Sequence, residues 1–349
     1  MVFSEALLRY PYTLLWHLVR SLSKPAPVVA YCAEVMDWQS LAPVLKHLAP
    51  VPVVTTNPGV KRYLREKGIA CHGLPSFPRA VIMCRHATHR FPCSGIIKIG
   101  LRHGPYHFKR MTKAANYNRF DLYLFSSVAD LKAAEAIGVR VGKAVGFPRL
   151  DPAFDGTITP GQLEELKRGR KLDPGKPVLL FTATWDRSGM SGIGHWYDKL
   201  EQLANSYNVV VTVHPWTAEA YVERIKATRG VGFLEEADLL PWLMLADICI
   251  GDTSSLLAEC SALSKPIVTF RTPTARRSLD EIELILKDIS LQVESFGELI
   301  KALETLISEP GLLREGQARA NQTMFDILDG KASLRAAKEI IKLIPELKR

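Results

Sequence analysis

His103 and His214 are the two residues of this sequence best placed to move a proton. His103 stands in "GLRHGPYHFKR", directly after an apolar run at 95–101 and among Arg102, His107, Lys109 and Arg110. An imidazole titrating near neutrality suits the removal of a hydroxyl proton, and Gly104 lets the backbone approach a substrate closely. His214 ends the β-branched run of "NVVVTVHPWT", where Pro215 stops strand pairing. Each histidine has a plainer alternative: a solvated loop side chain at 103, and a ring packed on Trp216 at 214.

Two further loops have the chemistry of anion binding. "FTATWDRSGMSG" runs from an apolar strand into Thr182, Thr184, Asp186 and Arg187 and then a Gly/Ser turn, which offers backbone N–H and hydroxyl donors together with a planar guanidinium. "ADICIGDTSSLLAEC" delivers Asp252, Thr253, Ser254 and Ser255 to the start of a helix, whose N-terminal N–H groups and positive dipole end favour phosphate. Glu259 follows Ser255 by four residues, hence on the same helix face and about 6 Å along the axis, a spacing suited to a ribose diol. Ordinary capping explains one such polar residue, at about 1 kcal/mol, better than it explains four. Neither loop carries GxGxxG or the P-loop pattern.

These loops require strands that end together. Continuous apolar runs at 27–33, 50–57, 80–84, 95–101, 121–127 and 142–147 read as strands buried on both faces, the mark of a parallel sheet. A charged, turn-rich stretch at 155–177 interrupts them. The pattern then resumes at 177–184, 208–215, 230–236, 247–254 and 265–270, with helical stretches at 194–206 and 217–228. Helices are expected near 279–287, 296–308, 311–328 and 332–344. The fold class is therefore α/β: two Rossmann-like doubly wound domains, 1–155 and 156–330, facing a central cleft at the carboxyl ends of their strands. Residues 331–349 form a basic helix expected to pack back toward the N-terminal domain.

At 349 residues the chain is long enough for two cores, and 47% apolar content excludes a disordered chain. The net charge of +9 favours anionic partners and is concentrated in two places. Residues 98–120 hold six Lys or Arg and no acid, and 331–349 hold six against two. The absence of nucleic-acid-binding motifs argues against a nucleic-acid partner. The six cysteines are scattered, as in a reducing compartment, and "CRHATHRFPC" places Cys84, His86, His89 and Cys93 at a spacing that matches no common zinc pattern. The segment 3–23 is apolar and aromatic but interrupted by Glu5, Arg9, Pro11 and His17, so it neither spans a bilayer nor reads as a signal peptide. Its Leu7, Leu14, Leu18 and Leu22 share a helical face, which fits a helix packed on its own domain or one lying in a membrane interface.

As an ordered set, "RHG" (102–104), "GFPRLD" (146–151), "TATWDR" (182–187), "VHP" (213–215) and "DICIGDTSSLLAECSALSKPIVTF" (247–270) resemble the motifs of the CDP-glycerol glycerophosphotransferase family, the teichoic-acid primases and polymerases. That resemblance implies a GT-B fold, a CDP-activated polyol phosphate donor held by the second domain, a lipid-linked or glycan-linked acceptor, release of CMP, and no metal or cofactor. It implies a cytoplasmic location with peripheral membrane contact. It assigns His103 and His214 as catalytic, Thr184, Arg187, Asp252, Thr253, Ser254, Ser255 and Glu259 to nucleotide and phosphate binding, and Arg102, His107, Lys109 and Arg149 to acceptor or phosphate contact. The chain departs from the pattern in four respects: Ala183 replaces a proline, Asp186 and Arg187 are swapped, Thr253 replaces a tyrosine, and Glu259 an aspartate. Glutamate there also suits a nucleotide-sugar glycosyltransferase. A UDP-sugar 2-epimerase would carry Gly-Gly where Leu256 and Leu257 stand, and a non-catalytic nucleotide-binding protein would turn nothing over.

Overall fold

A computed structural model of the protein describes residues 2–22, 27–105, 111–273 and 280–349, with the side chains of residues 2–8 and Asp280 left aside. The chain forms two units. The first gathers residues from 2–104, 111–151 and 329–349, and the second is built from 152–328.

The first unit holds a seven-stranded, wholly parallel sheet: β1 (Val28–Tyr31), β2 (Val53–Val54), β3 (Cys71–His72), β4 (Ala80–Met83), β5 (Ile97–Leu101), β6 (Leu122–Phe125) and β7 (Gly142–Ala144), in the order 3-2-1-4-5-6-7. The second unit repeats the scheme with β8 (Val178–Ala183), β9 (Asn208–Val213), β10 (Val231–Phe233), β11 (Ile248–Gly251), β12 (Ile267–Phe270) and β13 (Leu291–Val293), in the order 10-9-8-11-12-13. Strands such as VVAY, AVIM, LYLF and ICIG are buried at every position because helices cover both sheet faces. In both sheets the strand order reverses once, between β1 and β4 and between β8 and β11. Such a reversal opens a crevice at the carboxyl ends of the two strands.

Two short edge strands, β3 and β13, were not expected from the sequence, and the stretch 194–206 is mostly turns with one helix, Glu201–Ala204. The remaining helices lie near their expected places, at Glu219–Lys226, Asp280–Ile289, Phe296–Ser308, Arg314–Phe325 and Ala332–Leu343.

The helix Ala332–Leu343 belongs to the core of the first unit. Ala336, Ala337 and Ile340, with Ile344 and Leu347 beyond it, join one apolar cluster with Val28, Ile82 and Ile99. Its N-terminus is capped from 181 residues away, as Asp151 accepts from Ala332 N (3.1 Å) and Ser333 N (2.6 Å). Gly146, at φ +92°, makes room for it: a Cβ there would come within 2.9 Å of both Ala332 Cβ and an Arg335 nitrogen.

The N-terminal helix Val2–Leu22 is tied down by Trp16, which is 4% exposed and donates its Nε1–H to Pro78 O at 2.7 Å. Tyr10, Leu14, Leu15, Leu18 and Leu22 face outward and are exposed. Among the described residues no helix is long and apolar enough to cross a membrane.

Candidate active site

In the second unit, the crevice between β8 and β11 is organised by one carboxylate. Asp252 is fully buried and accepts from Thr184 N (3.0 Å to each oxygen), Gly192 N (2.8 Å) and Ser254 N (3.0 Å). Burial raises its pKa, and the hydrogen bonds oppose that rise. The three N–H donors come from two separate loops, so Asp252 pins "TWDRSGMSG" to "DTSS". Gly192 is required at this closure, because a Cβ would sit 2.9 Å from Phe270 Cβ and 3.4 Å from Asp252 Cβ. Asp252 thus positions both loops through their backbone N–H groups.

Hydroxyls line the same crevice. Thr253 Oγ1 donates to Met190 O (3.2 Å), which leaves Thr184 Oγ1 to donate to Thr253 at 3.3 Å. Ser254 Oγ accepts from Leu256 N at 3.4 Å, and Ser255 precedes the helix Leu256–Ala262 without making a side-chain cap bond. That helix is only seven residues long, so its dipole is weak. Arg187 is exposed on a short turn beside Asp186, whose carboxylate accepts from Ala218 N (3.1 Å) and ties this loop to the one after β9. Glu259 is 2% exposed, within a helix whose seven residues are all buried.

His214 follows β9. Its Nδ1 accepts from Trp216 N at 3.1 Å, and its ring meets Trp216 edge-on at 5.2 Å. A backbone N–H can only donate, so Nδ1 carries the lone pair and the proton of the neutral ring sits on Nε2. His103, in the first unit, is the reverse. Its Nδ1 lies 3.1 Å from Cys84 O, and a carbonyl can only accept, so the proton is on Nδ1 and Nε2 is the basic nitrogen. One imidazole is arranged to donate through Nε2, the other to accept there.

The surroundings of His103 were only partly legible. Arg102 is committed to Asp130 through Nε (2.9 Å) and Nη2, reaches Tyr117 Oη through Nη1 at 3.4 Å, and lies over the Phe125 ring. Burial works against its charge, but Asp130 overcomes this and holds the guanidinium protonated. Its assignment as a phosphate contact is corrected to that of a brace linking the His103 loop to the helix Val128–Ala136. Arg149 is 2% exposed, so it too is an interior residue rather than a presented cation, and "GFPRLD" serves chiefly to seat the C-terminal helix. His107 and Lys109 lie outside the described residues. His86 stacks on Tyr123 (5.5 Å, 8°) and meets Tyr117 edge-on (4.6 Å), and burial lowers its pKa. Cys84 and Cys93 are buried, and no group of three or more metal-ligating side chains converges among the described residues.

Two doubly wound units, each with polar loops at its point of strand reversal, define a fold of the GT-B type. The sequence profile of the CDP-glycerol:poly(glycerophosphate) glycerophosphotransferases matches residues 116–342, and the chain belongs to that family. Among curated relatives, the teichoic acid ribitol-phosphate polymerase TarK of Staphylococcus aureus is 23% identical over 279 residues, 75% of this chain and 52% of that protein. The teichoic acid poly(ribitol-phosphate) polymerase of Bacillus spizizenii is 26% identical over 73% of this chain and 42% of its own length. The chain thus spans about half the length of these relatives. A variant of the wall teichoic acid polymerase TagF superposes with a TM-score of 0.72 at 14% identity, covering 99% of this chain and 98% of that one. An S. aureus MnaA–UDP co-structure does so at 0.66 and 12% identity, over 93% and 98%. These likenesses show the fold.

Proposed function

We propose that the protein transfers a polyol phosphate from a CDP-activated donor to a hydroxyl of a lipid- or glycan-linked acceptor. His103 Nε2 takes the proton of the acceptor hydroxyl, whose oxygen attacks the β-phosphorus of the donor. The bond from that phosphorus to the bridging oxygen breaks, and CMP leaves. His214 Nε2–H, Arg187 and the hydroxyls of Ser254 and Ser255 stabilise the charge that grows on the phosphoryl oxygens. The observation that carries this reading is the Cys84 carbonyl at His103 Nδ1, which makes Nε2 a base. Family membership supplies the donor class.

The exposed row Tyr10, Leu14, Leu18 and Leu22 on a helix anchored by Trp16 supports a peripheral membrane contact that brings the chain to a lipid-linked acceptor. The direct test is release of CMP from CDP-glycerol or CDP-ribitol by the full chain in the presence of a polyol-phosphate acceptor. Release of UDP from UDP-sugars instead, with no CMP formed, would overturn the reading. Co-sedimentation with anionic vesicles, lost in Leu14→Ser/Leu18→Ser, tests the membrane contact.

A further inference from the structure

The strand reversal of the first unit carries a charged pair that the reaction above does not use. Asp37 and Arg85 approach each other across the crevice between β1 and β4, 48 positions apart in sequence. Asp37 is 1% exposed and is held by Ala33 N (3.0 Å) and Glu34 N (2.9 Å), both donating to Oδ2, while its Oδ1 accepts from Arg85 Nε at 2.9 Å. A carboxylate placed here is costly. Burial raises its pKa, and Arg85 with the two N–H groups draws it back.

The two arginines of this unit that pair with carboxylates in this region are engaged differently. Arg102 uses Nε, Nη1 and Nη2 on Asp130 and Tyr117 and is 16% exposed. Arg85 gives only Nε to Asp37, keeps 35% of its side chain exposed, and has no partner at either Nη among the described residues. Four N–H donors in a rigid plane are thus held in place and left for something else. The same network reaches the proposed base: Cys84, the neighbour of Arg85, gives its carbonyl to His103 Nδ1 and its thiol to Asp37 O (3.6 Å). A guanidinium fixed through Nε presents its two Nη groups as a fork, the geometry that grips a phosphate with paired hydrogen bonds.

We propose that Arg85, oriented by Asp37, binds the phosphate of the acceptor whose hydroxyl His103 deprotonates. The chemical class is a polyol phosphate or phosphodiester end, and this assignment of acceptor to the first unit rests on the phosphotransfer reading. Arg85 is a binding residue and Asp37 a positioning residue. The pair fixes the distance between the acceptor phosphate and its reacting hydroxyl, so it also selects acceptors that carry a phosphate over bare polyols.

The test uses the full chain, with glycerol 3-phosphate as a probe of the acceptor end and CMP as a probe of the donor side, both followed by calorimetry. Arg85→Lys keeps a cation beside Asp37 but removes the fork, and Arg85→Ala removes both. Each is expected to weaken glycerol 3-phosphate binding about tenfold or more, with CMP affinity held within about twofold. In turnover, the preference of the wild type for a phosphate-bearing over a phosphate-free acceptor should disappear in Arg85→Lys through acceptor KM rather than kcat. Asp37→Asn should give a smaller loss of the same kind. Wild-type affinity for glycerol 3-phosphate in both Arg85 variants overturns the proposal, as does no binding by the wild type, or an equal loss of CMP binding in both variants. Should the wild type release no CMP from CDP-polyols yet bind glycerol 3-phosphate through Arg85, the transfer reading fails and the phosphate site stands.

Discussion

The two points of strand reversal are built on the same plan and furnished differently. In each, a buried aspartate collects backbone N–H groups from a strand-end loop: Asp37 beside β1 and Asp252 after β11. Asp252 takes backbone N–H groups from two loops, with the Thr184 side chain beside it, and hydroxyl residues Thr253, Ser254 and Ser255 follow it in sequence. Asp37 instead carries a guanidinium and lies next to the carbonyl that sets the tautomer of His103. On the proposed reading, hydroxyl donors at the second crevice suit a diphosphate that leaves as CMP, whereas a fixed cation and a basic nitrogen at the first suit a group that is gripped and deprotonated. Strand topology places both crevices, and the residues beside a single carboxylate decide what each can do.

The sharpest way to break this division is at the two imidazoles. His103→Gln and His103→Ala should both reduce kcat by about 10²–10⁴-fold, since neither replacement is a base, with CMP affinity nearly unchanged. Near-wild-type turnover in either would remove His103 from the reaction. His214→Ala should cost about 10²–10³-fold, but His214→Gln, whose amide still donates, should recover part of the loss. Rescue by glutamine at both positions, or at neither, would mean that the opposite tautomers have no chemical consequence.

A second comparison sets the aspartates against each other. Asp252→Asn places an amide where N–H groups need an acceptor, so it should cost about 1–3 kcal/mol of stability in denaturant titration and loosen CMP binding, while Asp37→Asn spares CMP. Equal effects on CMP would show that the two crevices are not specialised. Gly146→Ala tests the frame alone: forcing φ +92° and a 2.9 Å approach to Ala332 should cost about 1–3 kcal/mol, seen as a lower melting temperature. The smallest expected effect concerns His86. Its folded pKa is lowered below 6.5 by burial, so as pH falls through 6.5 the unfolded chain takes up the proton first and stability declines toward the lower folded pKa. His86→Phe should flatten that acid-side slope, and an unchanged slope would assign it to other groups.

Much of the scaffold was legible because strands buried on two faces are spelled as unbroken apolar runs, as in AVIM and ICIG. The edge strands Cys71–His72 and Leu291–Val293 were not, since two or three half-buried residues at a sheet edge carry no such run. Within the candidate site, His103, His214 and the hydroxyl cluster stand out by type and by their place after strands. Their partners do not. Asp252 is held by N–H groups that any residue would supply, and Asp37 meets Arg85 only because β1 and β4 are neighbours in space. Arg102 was hard to read for a related reason: a basic residue in a motif looks the same whether it faces a ligand or a buried carboxylate such as Asp130.

The capping of Ala332–Leu343 by Asp151 has a consequence for how the molecule is made. Ala336, Ile340, Ile344 and Leu347 complete a cluster otherwise built from the first half of the chain, and Arg349 reaches Leu48 O at 2.7 Å. Contacts between residues so distant along the chain close slowly. During synthesis the N-terminal sheet must therefore wait, with an open apolar flank, until the whole of the second unit has been translated, and at roughly 5–20 residues per second that interval is on the order of ten seconds or more. The unit encoded first is the one that finishes folding last.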